Sequence, residues 1–244
     1  VASLPHPEHA QDGYDVRLGW GPWGLAHIAQ GVDVVIVVDV LSFTTCVEVA
    51  VGRGIDVIPF PWRDERAEER AREAGAVLAR KRGEGNGPSL SPVSLGGLPP
   101  GTKVLLPSPN GSTLSLQSPA PTTLAGCLRN ARAVAGVAVA HGRRIAVIAA
   151  GEQWPDGALR PALEDHLGAG VILRHLPGSR SPEAEAAVAL AEGLGDRLAT
   201  YVASCASGRE LAAGGYARDV EIASALNVST VVPILRGGLW RRHR

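Results

Sequence analysis

The sequence predicts an α/β fold: a mostly parallel or mixed sheet sandwiched between helices in a three-layer α/β/α arrangement. Three observations carry this reading. Val32–Val40 is a run of β-branched residues, suited to a strand buried on both faces. Arg144–Ala150 is a second such run in the other half of the chain. Helical segments rich in Ala, Glu and Arg lie between them, and strands alternating with helices build a sheet covered on both sides. A length of 244 residues suits one large unit spanning 1–244, or two loosely similar halves of about 1–126 and 127–244.

The elements follow in order. After the strand Val32–Val40, Thr45–Gly52 reads as a helix and Asp56–Phe60 as a short strand. Arg63–Arg80 is a charged helix with Glu68 and Arg72 at pairing distance. Gly83–Pro100, rich in Gly, Pro and Ser, reads as a long loop, the kind that is commonly functional or disordered. Lys103–Leu106 is a strand stopped by Pro107; Pro109–Ser112 turns, and a helix starts near Thr113. Asn130–Gly142 is a helix, Arg144–Ala150 a strand and Trp154–Leu159 a loop. Helices are predicted over Pro161–Leu176, Pro182–Tyr201, Ser204–Gly214 and Asp219–Leu226, and Thr230–Leu235 is a last strand. The basic stretch Arg236–Arg244 reads as a solvated tail.

Composition excludes several classes. Lys plus Arg and Asp plus Glu number 24 each, so no net charge favours nucleic acid or a membrane surface. No apolar run reaches the length of a membrane span. Val1–His6 shows no secretory pattern. Cys46, Cys127 and Cys205 form no Cys-x-x-Cys pair, which argues against disulfides and zinc and for a reducing cytosol; a cytoplasmic location is expected.

Chemistry is expected at the ends of elements. Asp39 ends the first strand and is followed by Ser42, Thr44 and Thr45. An acid there either caps the next helix or faces a ligand at the carboxyl edge of the sheet. In Ser108–Thr113, Asn110 and Gly111 tolerate a tight turn, and Ser112 and Thr113 offer hydroxyls, an anion cradle or a plain turn. Asp39, Glu152, Glu164, Asp165 and Asp219 all sit where side chains can converge, and oxygen ligands suit Mg²⁺ better than zinc. His166 beside the acid pair is a proton donor or a surface residue.

Several motifs occur in order: Asp39-Val-Leu-Ser-Phe-Thr-Thr45, Ser89-Leu-Ser-Pro92, Ser108-Pro-Asn-Gly-Ser112 and Leu163-Glu-Asp165 with Gly168-Ala-Gly170. Cys205-Ala-Ser-Gly-Arg-Glu-Leu211, Asp219-Val-Glu221 and Val232-Pro233 complete the set. From Val32 to Leu235 the chain resembles the 2-phosphosulfolactate phosphatase family. The resemblance implies a cytoplasmic, Mg²⁺-dependent hydrolase that removes phosphate from 2-phosphosulfolactate on a route to coenzyme M. Two positions depart from the pattern. Ser42 stands where the family usually has Arg, and Arg80-Lys-Arg82 replaces the usual Gly-Glu-Arg.

These readings set the expectations. Asp39, Glu164, Asp165 and Asp219 are the catalytic acids, with Asp39, Asp165 and Asp219 on Mg²⁺. Thr44, Thr45, Asn110, Gly111 and Ser112 hold phosphate oxygens, and Arg82 or Arg160 meets a second anion. The partner is a small phosphorylated acid, with no nucleic acid or membrane, and a homo-oligomer is allowed. The competing reading is a non-catalytic binder of small anions that retains the fold.

Overall fold

The computed structural model describes residues 7–62 and 64–243. The Val1–His6 start, Arg63 at the head of one predicted helix, and Arg244 lie outside them. The elements are β1 (Val16–Trp20), α1 (Gly21–Ile28), β2 (Val34–Val38), α2 (Phe43–Gly52), β3 (Asp56–Phe60), α3 (Glu65–Glu73), β4 (Val77–Leu78), α4 (Pro92–Gly96), β5 (Lys103–Pro107), α5 (Gly111–Gln117) and β6 (Thr122–Gly126). They continue as α6 (Ala131–His141), β7 (Ile145–Ala149), β8 (Glu152–Gln153), β9 (Leu159–Arg160), α7 (Leu163–Leu173), α8 (Pro182–Leu194), α9 (Leu198–Ser204), α10 (Ala206–Ala213), α11 (Ala217–Ser224), β10 (Pro233–Arg236) and β11 (Leu239–Arg242).

Nine strands make one sheet, ordered β1-β7-β2-β6-β10-β11-β3-β5-β4, and β8 pairs with β9 in a separate hairpin. The sheet has two parallel blocks, β1-β7-β2-β6 and β3-β5-β4. The antiparallel β10–β11 hairpin joins them, meeting β6 at Ile234–Leu124 and β3 at Trp240–Val57. Three antiparallel pairings separate the blocks, so the blocks run in opposite senses. The mostly parallel expectation holds within each block, and β7, from the second half of the chain, lies between β1 and β2 from the first.

Alternation along β2 shows the three layers. Val34, Ile36 and Val38 pack with Val134 of α6 and Leu167 and Ile172 of α7. Val35 and Val37 face the other way, onto Leu25 and Ile28 of α1 and Leu114 of α5. In the second block, Val57 packs under Phe43 and Val47 of α2, and Ile58 packs on Ala67 and Ala71 of α3. Both strand faces are covered, which is why these segments read as continuous apolar runs.

The C-terminal stretch differs from expectation. Arg236–Arg242 is no solvated tail: Gly237 and Gly238, both at positive φ, turn the chain so that Leu239–Arg242 becomes an interior strand. Trp240 on its inner face is fully buried, while Arg241 on the outer face pairs with Asp56. Its two apolar residues set its place: Trp240 packs into the core cluster under α2, and Leu239 packs on the opposite face against the cluster of Ile58 and Leu105. The predicted helix running to Arg80 ends at Glu73, and Val77–Leu78 is an edge strand. The helix predicted over Pro182–Tyr201 breaks after Leu194 at Gly195, whose φ is positive. No helix among the described residues is long and apolar enough to cross a membrane.

Candidate active site

The site is built on the turn after β2. Thr44 donates both its N–H and its hydroxyl to the Asp39 carbonyl, each at 2.8 Å, and its oxygen accepts the Asp39 N–H. Thr45 donates its hydroxyl to the Val40 carbonyl. Both threonines are fully buried, so their hydroxyls brace the turn into α2 instead of lining a surface for phosphate. With the turn fixed, the Asp39 carboxylate accepts the Phe43 N–H at 2.9 Å and the Gly111 N–H at 3.0 Å. Asp39 therefore receives a free N–H that opens α2, and also holds the start of α5.

Three more carboxylates gather here. Asp165, in the first turn of α7, accepts the N–H of Val40 at 2.7 Å and of Gly151 at 2.9 Å, clamping the ends of β2 and β7 together. Its neighbour Glu164 is equally buried and accepts the Cys205 thiol at 3.2 Å. Glu152, on β8, accepts the Asn110 side-chain amide at 2.9 Å. Burial pushes the Asp39 carboxyl up to about 7, reinforced by the charges of Glu152 and Glu164 and opposed by its two N–H donors. Asp165 is also raised, by burial and by the charges of Asp39 and Glu164. Glu152 is raised by burial, although Asn110 and Arg160 oppose it. Desolvated like charges held this close disfavour full ionisation.

The Asn110–Ser112 turn meets this cluster from the oppositely directed block. Gly111 makes that approach feasible: a Cβ there would lie 2.2 Å from Phe43 Cδ1 and 2.8 Å from Asp39 Oδ2. The Gly111 N–H goes to Asp39, and the buried Ser112 hydroxyl donates to the Leu106 carbonyl. The groups expected to cradle phosphate thus hold the acid cluster in shape. A cavity of about 220 Å³ opens beside Asn110 and Glu152, walled by Trp23 and Leu159. Arg160 faces Glu152 across β8–β9 and donates to Ser207 at 3.2 Å.

Asp219 occupies a different corner. Its Oδ1 accepts the Ser91 hydroxyl at 2.6 Å and the Val93 N–H at 3.4 Å. Its Oδ2 accepts Arg82 Nε at 3.2 Å, and Arg82 also donates to Ser42 Oγ at 2.7 Å. Asp219, expected as a third metal ligand, has both oxygens engaged by protein donors. Through Arg82 and Ser42 it is nonetheless linked to the Asp39 turn, and a cavity of about 400 Å³ adjoins it.

The expected site residues therefore form two adjoining groups: Asp39, Asp165, Glu164, Asn110, Gly111 and Arg160 in one, Asp219 and Arg82 in the other. Among the described residues, no three acidic, histidine or cysteine side chains close on one point as a ready metal cage. Glu152, noted in the sequence as an acid after a strand, belongs to the first group, and its hairpin gave no strong periodic signal. Ser91 and Cys205 enter through short motifs whose partners lie far along the chain. His166 packs edge-on against Trp20 at 5.5 Å and makes no bond to the acids.

Comparison with known proteins identifies the family of the chain. The family model described as 2-phosphosulpholactate phosphatase matches residues 25–238. A probable 2-phosphosulfolactate phosphatase of Carboxydothermus hydrogenoformans is 30% identical over 207 residues, covering 82% of this chain and 84% of the relative. A 2-phosphosulfolactate phosphatase of Methanothermobacter thermautotrophicus is 30% identical over 214 residues, covering 86% and 89%. The chain belongs to the 2-phosphosulfolactate phosphatase family, a family of phosphoric monoester hydrolases.

Proposed function

We propose that this protein hydrolyses 2-phosphosulfolactate, or a close phosphorylated acid, to the 2-hydroxy acid and phosphate, with Mg²⁺ as its cofactor. The observation that carries the reading is the group of buried carboxylates around Asp39, whose mutual repulsion calls for a cation. Mg²⁺ is typically bound by one or two carboxylates together with substrate phosphate and water, so the lack of a closed cage fits this ion. Asp39 and Asp165 would hold it, each oxygen retaining a lone pair beyond its single N–H bond. The bound ion would neutralise phosphate charge and lower the pKa of water.

The chain's own residues do the rest. Phe43 and Gly111 N–H groups fix the Asp39 carboxylate, and Val40 and Gly151 fix Asp165. Glu152, half-buried with a raised pKa and steadied by Asn110, is placed to hold a proton for the departing hydroxy-acid oxygen. Arg160, across from Glu152, offers positive charge to the phosphate.

Phosphate release from 2-phosphosulfolactate and a panel of small phosphorylated acids, in chelator and after Mg²⁺ is restored, tests this. Turnover with Mg²⁺ and none in chelator is expected. Tight binding of the acids without phosphate release under either condition would favour the anion-binder reading. The carboxylate cluster speaks against a plain binder, since it repels anions unless a cation intervenes.

A further inference from the structure

We propose that Arg82 recognises an acid group of the substrate other than the phosphate, and that Asp219 is the positioning residue that aims it. The proposal rests on the phosphatase reading and assigns the second anion to Arg82 rather than Arg160.

The hydrogen bonds of Arg82 carry it. A guanidinium serving only as a structural ion pair commonly meets a carboxylate edge-on, with two parallel N–H bonds. Arg82 gives Asp219 only its Nε–H, and turns Nη2 to Ser42 Oγ instead. Two of its five N–H groups are thereby used, and Nη1 has no protein partner among the described residues. The side chain is mostly buried, 17% exposed, so this open edge is held rather than waving in solvent. Tyr216 lies 5.3 Å from the guanidinium and limits its swing.

Asp219 is itself fixed before it meets Arg82. The Ser91 hydroxyl and the Val93 N–H, both at the start of α4, hold its other oxygen. The result is a relay from α4 through Asp219 to Arg82 and on to Ser42, three residues past Asp39. Ser42 immediately precedes α2, whose first N–H, that of Phe43, goes to the Asp39 carboxylate, so the Arg82–Ser42 bond ties the guanidinium to the turn that carries Asp39. Arg160 differs: it stands against Glu152, within the acid cluster, where its charge is partly matched. A substrate with its phosphate at the Asp39 cluster would extend its carboxylate or its sulfonate toward the open Nη1 edge of Arg82.

The test compares three substrates: 2-phosphosulfolactate, 2-phospholactate, which lacks the sulfonate, and phosphoisethionate, which lacks the carboxylate. Arg82→Gln should raise KM for 2-phosphosulfolactate by about tenfold or more, the loss of one charge-assisted contact. KM for the one analogue that lacks the recognised group should change by less than about threefold. Which analogue escapes tells whether sulfonate or carboxylate is read. Asp219→Asn should move KM in the same pattern, with the Mg²⁺ concentration for half-maximal rate unchanged. Ser42→Ala keeps the Arg82–Asp219 pair and guards against misfolding of the other two variants; about a threefold rise in KM on the same substrates is expected. Equal losses on all three substrates, or a Mg²⁺ requirement raised about tenfold in Asp219→Asn, would overturn the proposal. If the unaltered protein releases phosphate from none of the three, the phosphatase reading itself fails.

Discussion

Two aspartates of this protein, Asp39 and Asp219, are equally hidden from solvent yet live in opposite electrostatic surroundings. Burial first, and then the charges of Glu152 and Glu164, push the Asp39 carboxyl up, and only backbone N–H donors oppose them. Asp219 meets a guanidinium, a hydroxyl and a backbone N–H. The lesson is that an acid at the end of an element gains its role from what surrounds it. On the proposed reading, the acid cluster takes a cation that relieves its repulsion, whereas the acid with its own arginine orients that arginine.

The contrast is sharpest in mutants. Asp39→Asn should lower kcat by on the order of a hundredfold to a thousandfold, since it removes a charge contact in a desolvated site. The same change should leave stability equal or higher, because like-charge repulsion is relieved. Steady-state kinetics and urea unfolding on one preparation check both. A large loss of stability would make Asp39 a helix cap first and a reacting group second.

Asp219→Asn should show the opposite balance. It leaves the mostly buried Arg82 without a counter-charge, and stability should fall by about 2–4 kcal/mol. An Asp219→Asn variant as stable as the parent would erase the distinction between the two corners. Gly111→Ala probes the contact between the blocks. The new methyl would press on the Phe43 ring and the Asp39 carboxylate, so a loss of about 1–3 kcal/mol is expected from overpacking, with weakened turnover. Unchanged unfolding would mean the turn can move away from Asp39 freely.

The same contrast explains what the sequence could disclose. The strand ending at Asp39 was legible because both its faces are buried and its residues are β-branched. The turn at Asn110 and Gly111 was legible from turn chemistry. β1 was not, because Arg17 interrupts its apolar pattern; that arginine is buried, donating to Asp12 and to the carbonyls of Ala10, Tyr14 and Ile28. β6 was hidden because Pro119 and Pro121 lead into it and Ala125 and Gly126 end it, so a five-residue strand is framed by loop-like residues. β11 was hidden by its basic residues. Within the site, the convergence of acids followed from their positions at element ends, but their separation into two corners did not. Arg82 and Asp219 are 137 residues apart, and nothing local reveals such a pair. The threonines were misleading for a physical reason: hydroxyls beside a helix start serve the backbone as readily as a ligand.

The measurement that tests the central claim most directly is thermal stability against pH, with and without Mg²⁺, in the parent and Asp39→Asn. A carboxyl whose folded pKa is raised from 3.8 to about 7 binds its proton in the folded state before the unfolded one does. Its stabilising contribution is full below the unfolded value and is lost as pH rises through the folded one, on the order of a few kcal/mol. In chelator, the parent's melting temperature should therefore fall between pH 5 and pH 8 more steeply than that of Asp39→Asn. Mg²⁺ at pH 8 should restore the parent and leave the variant little changed. Parallel pH profiles, or an equal Mg²⁺ shift in both proteins, would contradict a cation site at Asp39.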